Sequence, residues 1–174
     1  MVVRLDQLER ELVTGGLQAG LAWLNCRVPH RFTAAYLLGG EMLHLVALAD
    51  KSGVPTMREQ FDSVRLADSF CMFTLRDGRF VTSETRQDKR LNEHPAQSRL
   101  RSYVGLPVHH APGEPIGTFC HFDFAPQTLE DAEFAFLEDA VTFLSPYVER
   151  VLKGSRQRMG EVSRLHERFR TPHR

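Results

Sequence analysis

This 174-residue sequence predicts an α+β fold: an antiparallel sheet of five or six strands with helices on its faces and the N- and C-terminal helices together. Three observations lead there. Residues 31–50 and 99–124 each read as a β-hairpin, two apolar or alternating runs around a glycine-bearing turn. Leucines at three- and four-residue spacing mark a helix at either end. The elements follow in the order helix, hairpin, short helix, strand, hairpin, long helix.

Residues 3–27 read as helix, with Leu5, Leu8 and Leu12 and then Leu17, Leu21 and Leu24 on one face, Gly15-Gly16 as the place for a break, and Pro29 as the stop. RFTAAYLL and EMLHLVALAD flank Gly39-Gly40 and form the first hairpin. Residues 51–65 read as a loop with a turn of helix, broken early by Gly53 and Pro55. Asp68 or Ser69 caps a short helix through Phe70, Cys71, Phe73 and Leu75, which Asp77-Gly78 ends. RFVTS, residues 79–83, is a short strand, and polar residues 84–98 wrap as a loop with a helical turn. In the second hairpin, Tyr103, Gly105 and Pro107 alternate with Val104, Leu106 and Val108. After the turn Ala111-Pro112-Gly113-Glu114, Ile116, Thr118, Cys120 and Phe122 share one face; Phe119, His121 and Asp123 take the other. Thr128 is placed to cap the last helix, with Asp131 three residues on. Phe134, Leu137, Val141, Leu144, Val148 and Leu152 follow at helical spacing, and Pro146 is expected to kink this helix or start a new segment.

Charge and cysteines bound the function. The formal net charge is zero, so no overall field draws the chain to nucleic acid or to a membrane surface. Lys153–Arg174 carries seven Lys or Arg against two Asp or Glu, a net of +5 that leaves −5 on residues 1–152. The domain is therefore read as 1–152, followed by a basic tail, 153–174, helical or disordered. Within that tail Ser155, Met159, Val162, His166 and Phe169 make a short heptad-like stripe. Cys26, Cys71 and Cys120 are odd in number and widely spaced, which fits reduced thiols in the cytoplasm and neither a disulfide framework nor a zinc pattern. No signal peptide and no membrane-spanning run is visible. The histidines His30, His44, His94, His109, His110, His121, His166 and His173 show no metal-ligand spacing.

The segment RLRSYVGLPVHHAPGEPIGTFCHFDF resembles the signature of GAF domains, in which a Y-x-G-x-P-hydrophobic strand precedes G-x-x-I/L-G-T/S-hydrophobic-C/A-hydrophobic-D. Ser69-Phe70-Cys71, the strand after Gly78, the stretch from Gln87-Asp88 to His94-Pro95, and Thr128 to Leu137 sit where GAF proteins place comparable segments, so the resemblance covers residues 15–152. It implies a small-molecule sensor and dimerisation module. The implied cavity lies between the sheet and the short helix and loops over it. The candidate ligand-binding residues are Phe61, Phe70, Cys71, Phe73, Phe80, Asp88, Tyr103 and His121, with Tyr103, Phe70, Phe73 and Phe80 bordering an enclosed space beneath loop 84–98. Loop 84–101 holds no cysteine for a phytochrome-type bilin linkage, and the N-K-x-F-x-D-E motif of cyclic-nucleotide GAF domains is absent.

The expected function is thus a cytoplasmic regulatory domain that binds an unnamed small ligand, forms a homodimer and signals to an effector in trans. No catalytic residue, metal or cofactor is assigned. The apolar stripes Leu5-Leu8-Leu12 and Val141-Leu144-Val148-Leu152 are the candidate dimer surface. Two alternatives stand beside it: a ligand-free dimerisation scaffold, whose aromatics simply fill the core, and an enzyme similar to the free methionine-(R)-sulfoxide reductases, which share the fold and need reactive cysteines. Cys71 decides between sensor and enzyme. Its aromatic neighbours Phe70 and Phe73 are expected to bury the thiol and keep it neutral. Cys120 is expected to serve core packing.

Overall fold

The computed structural model describes the backbone of residues 2–110 and 113–169 and the side chains of 5–110 and 113–154. Its centre is a six-stranded antiparallel sheet of order β3-β2-β1-β6-β5-β4. The strands are β1 (Phe32–Gly39), β2 (Met42–Asp50), β3 (Ser63–Arg65), β4 (Phe80–Thr82), β5 (Ser102–His109) and β6 (Pro115–Asp123). Both expected hairpins form, joined through the β1–β6 pair, in which Ala34 lies opposite Cys120 and Tyr36 opposite Thr118. The first hairpin turns on Gly40, whose φ of 62° is the left-handed conformation such a tight turn demands. At Gly117 a Cβ would sit 1.8 Å from the Tyr36 carbonyl oxygen, so only glycine lets β6 pass this close to β1.

Alternation along the strands divides the core in two. Ala35, Leu37, Ala47, Ala49, Val104, Leu106, Val108 and Phe119 face α1 (Val2–Cys26) and α4 (Asp131–Phe169). Phe32, Ala34, Tyr36, Leu43, Leu45, Tyr103, Cys120 and Phe122 face the opposite side, under α2 (Met57–Phe61), α3 (Cys71–Asp77) and the turns of residues 84–100. Two bulges break strict parity. The register shift between Ala35 and Tyr36 skips Val46, which moves Leu48 onto the face of Leu43 and Leu45. The shift between Val108 and His109 skips Ile116, so Ile116 packs toward the helices and not on the face of Cys120, as simple alternation predicts.

Several local expectations are revised. Gly16, at φ 68° and ψ −162°, interrupts α1 where the Gly15-Gly16 pair suggested a break. Residues 63–65 are a short edge strand that the loop reading of 51–65 missed; three residues are too few to show a period. The last helix begins at Asp131, not after Thr128: the Glu130 carbonyl accepts the Glu133 and Phe134 amides, both at 3.0 Å. Nor does Pro146 start a new segment, since α4 runs through it. Leu144 and Val148 flank it and are fully buried against the sheet. Burying them contributes about 1.5–3 kcal/mol each, enough to offset the ~3 kcal/mol a helical proline costs.

The expected dimer stripes are used inside the chain. Leu8, Leu12, Leu144 and Val148 are buried between the helices and the sheet. Only Leu5, Val141 and Leu152 remain half-buried at their edges. Arg27 at the end of α1 locks onto Glu133 at the start of α4 through a two-pronged ion pair at 2.7 and 2.5 Å, with its guanidinium 4.3 Å over the Phe136 ring. The side chains of the tail stripe Ser155 to Phe169 lie outside the described residues. No helix among the described residues is long and apolar enough to cross a membrane.

Candidate functional site

The site is assembled where α3 crosses β5 and β6. The Ser69 hydroxyl accepts the Cys71 amide at 3.2 Å, which fixes Cys71 as the first residue of α3, and Gly78 at φ 78° ends the helix two turns later. This sets the Cys71 sulfur on the sheet. The Tyr103 hydroxyl from β5 and the Thr118 hydroxyl from β6 both donate to it, each at 3.2 Å. Tyr103 has one proton to give, so the Thr74 hydroxyl, 3.1 Å from the Tyr103 oxygen, donates in turn. Gly105 makes room for this chain: a Cβ there would lie 2.3 Å from the Thr74 oxygen and 2.4 Å from the Tyr103 oxygen. The Cys120 thiol, between Thr118 and Phe122 on the same strand face, is buried in the same cluster as Cys71.

Two buried thiols in contact do not ionise together. Cys71 ionises first. The hydrogen bond from Cys120, with further bonds from Ser69, Thr118 and Tyr103, outweighs burial and draws it down to about 6. Burial and the neighbouring Cys71 push Cys120 well above the usual thiol range. The expectation that burial keeps Cys71 neutral is therefore overturned: its aromatic flanks were legible, but the hydroxyls that reach it come from strands 32 and 47 residues away. Burial likewise raises Tyr36 and Tyr103.

Above the thiols opens a cleft of about 50 Å³, with room for a few water-sized groups. Cys71, Cys120 and Tyr103 form its buried floor, Tyr36, Phe61 and Phe122 its aromatic walls. Gln60, Asp68 and Arg99 are exposed at its mouth. An ion pair between Glu84 and Arg101 and the hydrogen bonds of Thr85 to the Gln97 and Leu100 carbonyls, at 3.4 and 2.6 Å, hold the covering turns down.

Of the eight candidate residues, Phe61, Cys71 and Tyr103 line the cleft. Phe70, Phe73 and Phe80 do not. They stack on one another beside it, Phe73 on Phe80 at 4.9 Å and Phe70 edge-on to Tyr103 at 5.7 Å, with His94 capping the group 5.1 Å from Phe70. These three rings fill the space beneath the turns as core, where an enclosed cavity was expected. Asp88 lies outside, held by the Arg90 guanidinium at 2.5–2.9 Å and accepting the Arg90 amide. His121 is on the other face of the sheet, as alternation from Cys120 requires, and does not reach the cleft. There it stacks on His30 at 5.9 Å, and its Nδ1 meets the Thr33 hydroxyl at 2.6 Å. Burial lowers both imidazoles, His30 to about 4 and His121 well below the usual imidazole value, and both nitrogens of His30 and Nε2 of His121 have no protein partner. Tyr36, Phe122, Asp68 and Arg99 went unrecognised in the sequence. Pairing Ala34 with Cys120 would have found Tyr36, but that register depends on the β1–β6 contact, which no local signal announces. Among the described residues no group of three or more His, Cys, Asp or Glu side chains is arranged to hold a metal ion.

No family model matches the chain and no curated protein matches it. Solved structures do. The GAF domain of a phosphoenolpyruvate-protein phosphotransferase from Acinetobacter superposes with a TM-score of 0.69 at 17% identity, over 87% of this chain and 94% of that one. A free methionine-R-sulfoxide reductase from Neisseria meningitidis, in complex with its substrate, gives 0.65 at 16%, over 86% and 89%. A type II free methionine-R-sulfoxide reductase from Thermoplasma acidophilum gives 0.62 at 18%, over 82% and 96%. Similarity at this level is similarity of fold.

Proposed function

We propose that this chain, which has the GAF fold, is a cytoplasmic regulatory domain that binds a small ligand in the cleft over Cys71, forms a homodimer and passes its state to an effector in trans. One observation carries the reading: the cleft combines aromatic walls, a hydrogen-bonded polar floor and opposite charges at its mouth, Asp68 and Arg99. Apolar walls reward desolvation of a small molecule, and the few polar groups fix its orientation. Support for the dimer is separate. Among the described side chains of α4 the last buried one is Val148, yet the helix continues to Phe169, and a long helix gains most of its stability from packing an apolar face against a partner. Native mass spectrometry of protein purified from its own host tests both halves. A dimer mass carrying a non-covalent small molecule is expected, with the molecule lost in Val64→Phe, since Val64 of β3 lines the cleft and a larger ring there takes up its space. An unliganded monomer overturns the reading.

A second reading is favoured by the Cys71–Cys120 pair and by the two reductases of the same fold: reduction of free methionine sulfoxide with a dithiol as reductant. It predicts turnover that Cys71→Ser abolishes, read by amino-acid analysis; absence of turnover in the unmodified protein removes it.

A further inference from the structure

We propose that Cys71 and Cys120 form a dithiol switch for hydrogen peroxide, with Cys71 as the attacking sulfur and Cys120 as the resolving one. The inference goes beyond ligand sensing and does not depend on it. Three features of the cleft carry it. The two thiols are buried side by side in the floor of one cleft, on elements that come from distant parts of the chain. The Cys71 sulfur also accepts hydrogen bonds from Tyr103 and Thr118, donors that stabilise a thiolate without a cation. The space above them, about 50 Å³ and open at its mouth, gives an oxidant as small as peroxide a way to the sulfurs.

The chemistry balances with peroxide alone. The Cys71 thiolate attacks one peroxide oxygen; an S–O bond forms, the O–O bond breaks, and hydroxide leaves. That hydroxide takes the proton of the Cys120 thiol and becomes water. The Cys120 thiolate then attacks the Cys71 sulfenic sulfur; the S–S bond forms, the S–O bond breaks, and the second hydroxide takes a proton from solvent. Two thiols lose two electrons and one peroxide becomes two waters. The product ties α3 to β6 and removes the thiolate that Tyr103 and Thr118 address, so oxidation remakes the floor of the cleft.

The test uses the full reduced chain, hydrogen peroxide in small excess and no other ligand. After quenching, tryptic mapping reads residues 66–76, which hold Cys71, residues 102–150, which hold Cys120, and residues 11–27, which hold exposed Cys26. The expected result is loss of two of the three thiols, a disulfide-linked 66–76/102–150 pair, and Cys26 still free, consumed at least about tenfold more slowly. In Cys120→Ser the expected result is a sulfenic acid on Cys71 that dimedone traps. Consumption of Cys26 first, or oxidation of Cys71 without the linked pair in the unmodified chain, overturns the proposal. The mapping needs no variant to fold, and its failure leaves the ligand measurement standing.

Discussion

The two faces of the sheet are built to different rules from the same strands. The face toward α1 and α4 is mostly aliphatic, with Leu8, Leu21, Leu24, Leu144 and Val148 fully buried, and long helices close it. The face toward α2, α3 and the turns is aromatic, and short segments close it incompletely. Long helices present continuous apolar stripes that interdigitate with the strands. Short turns cannot, so large rings span the gaps, and a cleft remains where they stop. Each face also buries polar groups. On the helix side these are neutral imidazoles, His121 bonded through one nitrogen and His30 through neither; on the turn side they are thiols inside a hydrogen-bond chain. Stability therefore resides mainly on the first face and reactivity on the second.

The largest expected effect tests the first face. Leu144→Ala removes a fully buried side chain from a closed layer and should cost about 2–5 kcal/mol, read as a lower urea midpoint. A cost near zero would mean that α4 is not the main cover of the sheet.

Acid should act through the same face. Unfolded imidazole titrates near 6.5, whereas folded His30 takes its proton only at about 4. Between these values the unfolded chain binds the extra proton, so stability rises with pH across this window and is lost on acidification through it. The groups facing His30 do not cancel the effect: burial dominates, Asp123 opposes it, and Lys51 adds to it. His30 alone contributes about 3 kcal/mol over the full window. Urea midpoints at pH 4.5 and 7 should differ less in His30→Phe than in the unmodified chain, the remaining difference coming from buried His121, which is lowered in the same direction.

The smallest effect belongs to the second face. Tyr103→Phe deletes one hydroxyl and should cost only about 0.5–1.5 kcal/mol. Its signature is chemical. The pH midpoint for thiol alkylation at Cys71 should move up from about 6, because the thiolate loses a donor. An unchanged midpoint would show that Cys120 and Thr118 suffice.

What the sequence revealed follows the same division. Period-two alternation located both hairpins, and helical spacing located α1 and α4, because each burial face repeats within a few residues. The bulges at Val46 and Ile116 escaped, since one extra residue leaves the composition of a strand unchanged. At the site, Phe61, Cys71 and Tyr103 were found from their place in the GAF-like order. Phe70, Phe73 and Phe80 came with them only because core and lining aromatics look alike in one dimension. The state of Cys71 was misjudged because it depends on hydroxyls brought in by β5 and β6.

The length of α4 has a mechanical consequence. From Val148, the last buried side chain among the described residues, to Phe169 the helix extends by 21 residues, or about 32 Å. A rigid helix of this length would work as a lever about its contact with the sheet. A tilt of about 10° at the pivot carries its far end by about 5–6 Å, roughly one helical turn. A sub-ångström adjustment at the domain is thus magnified at the end of the arm into a displacement large enough to change which residues meet a neighbouring helix.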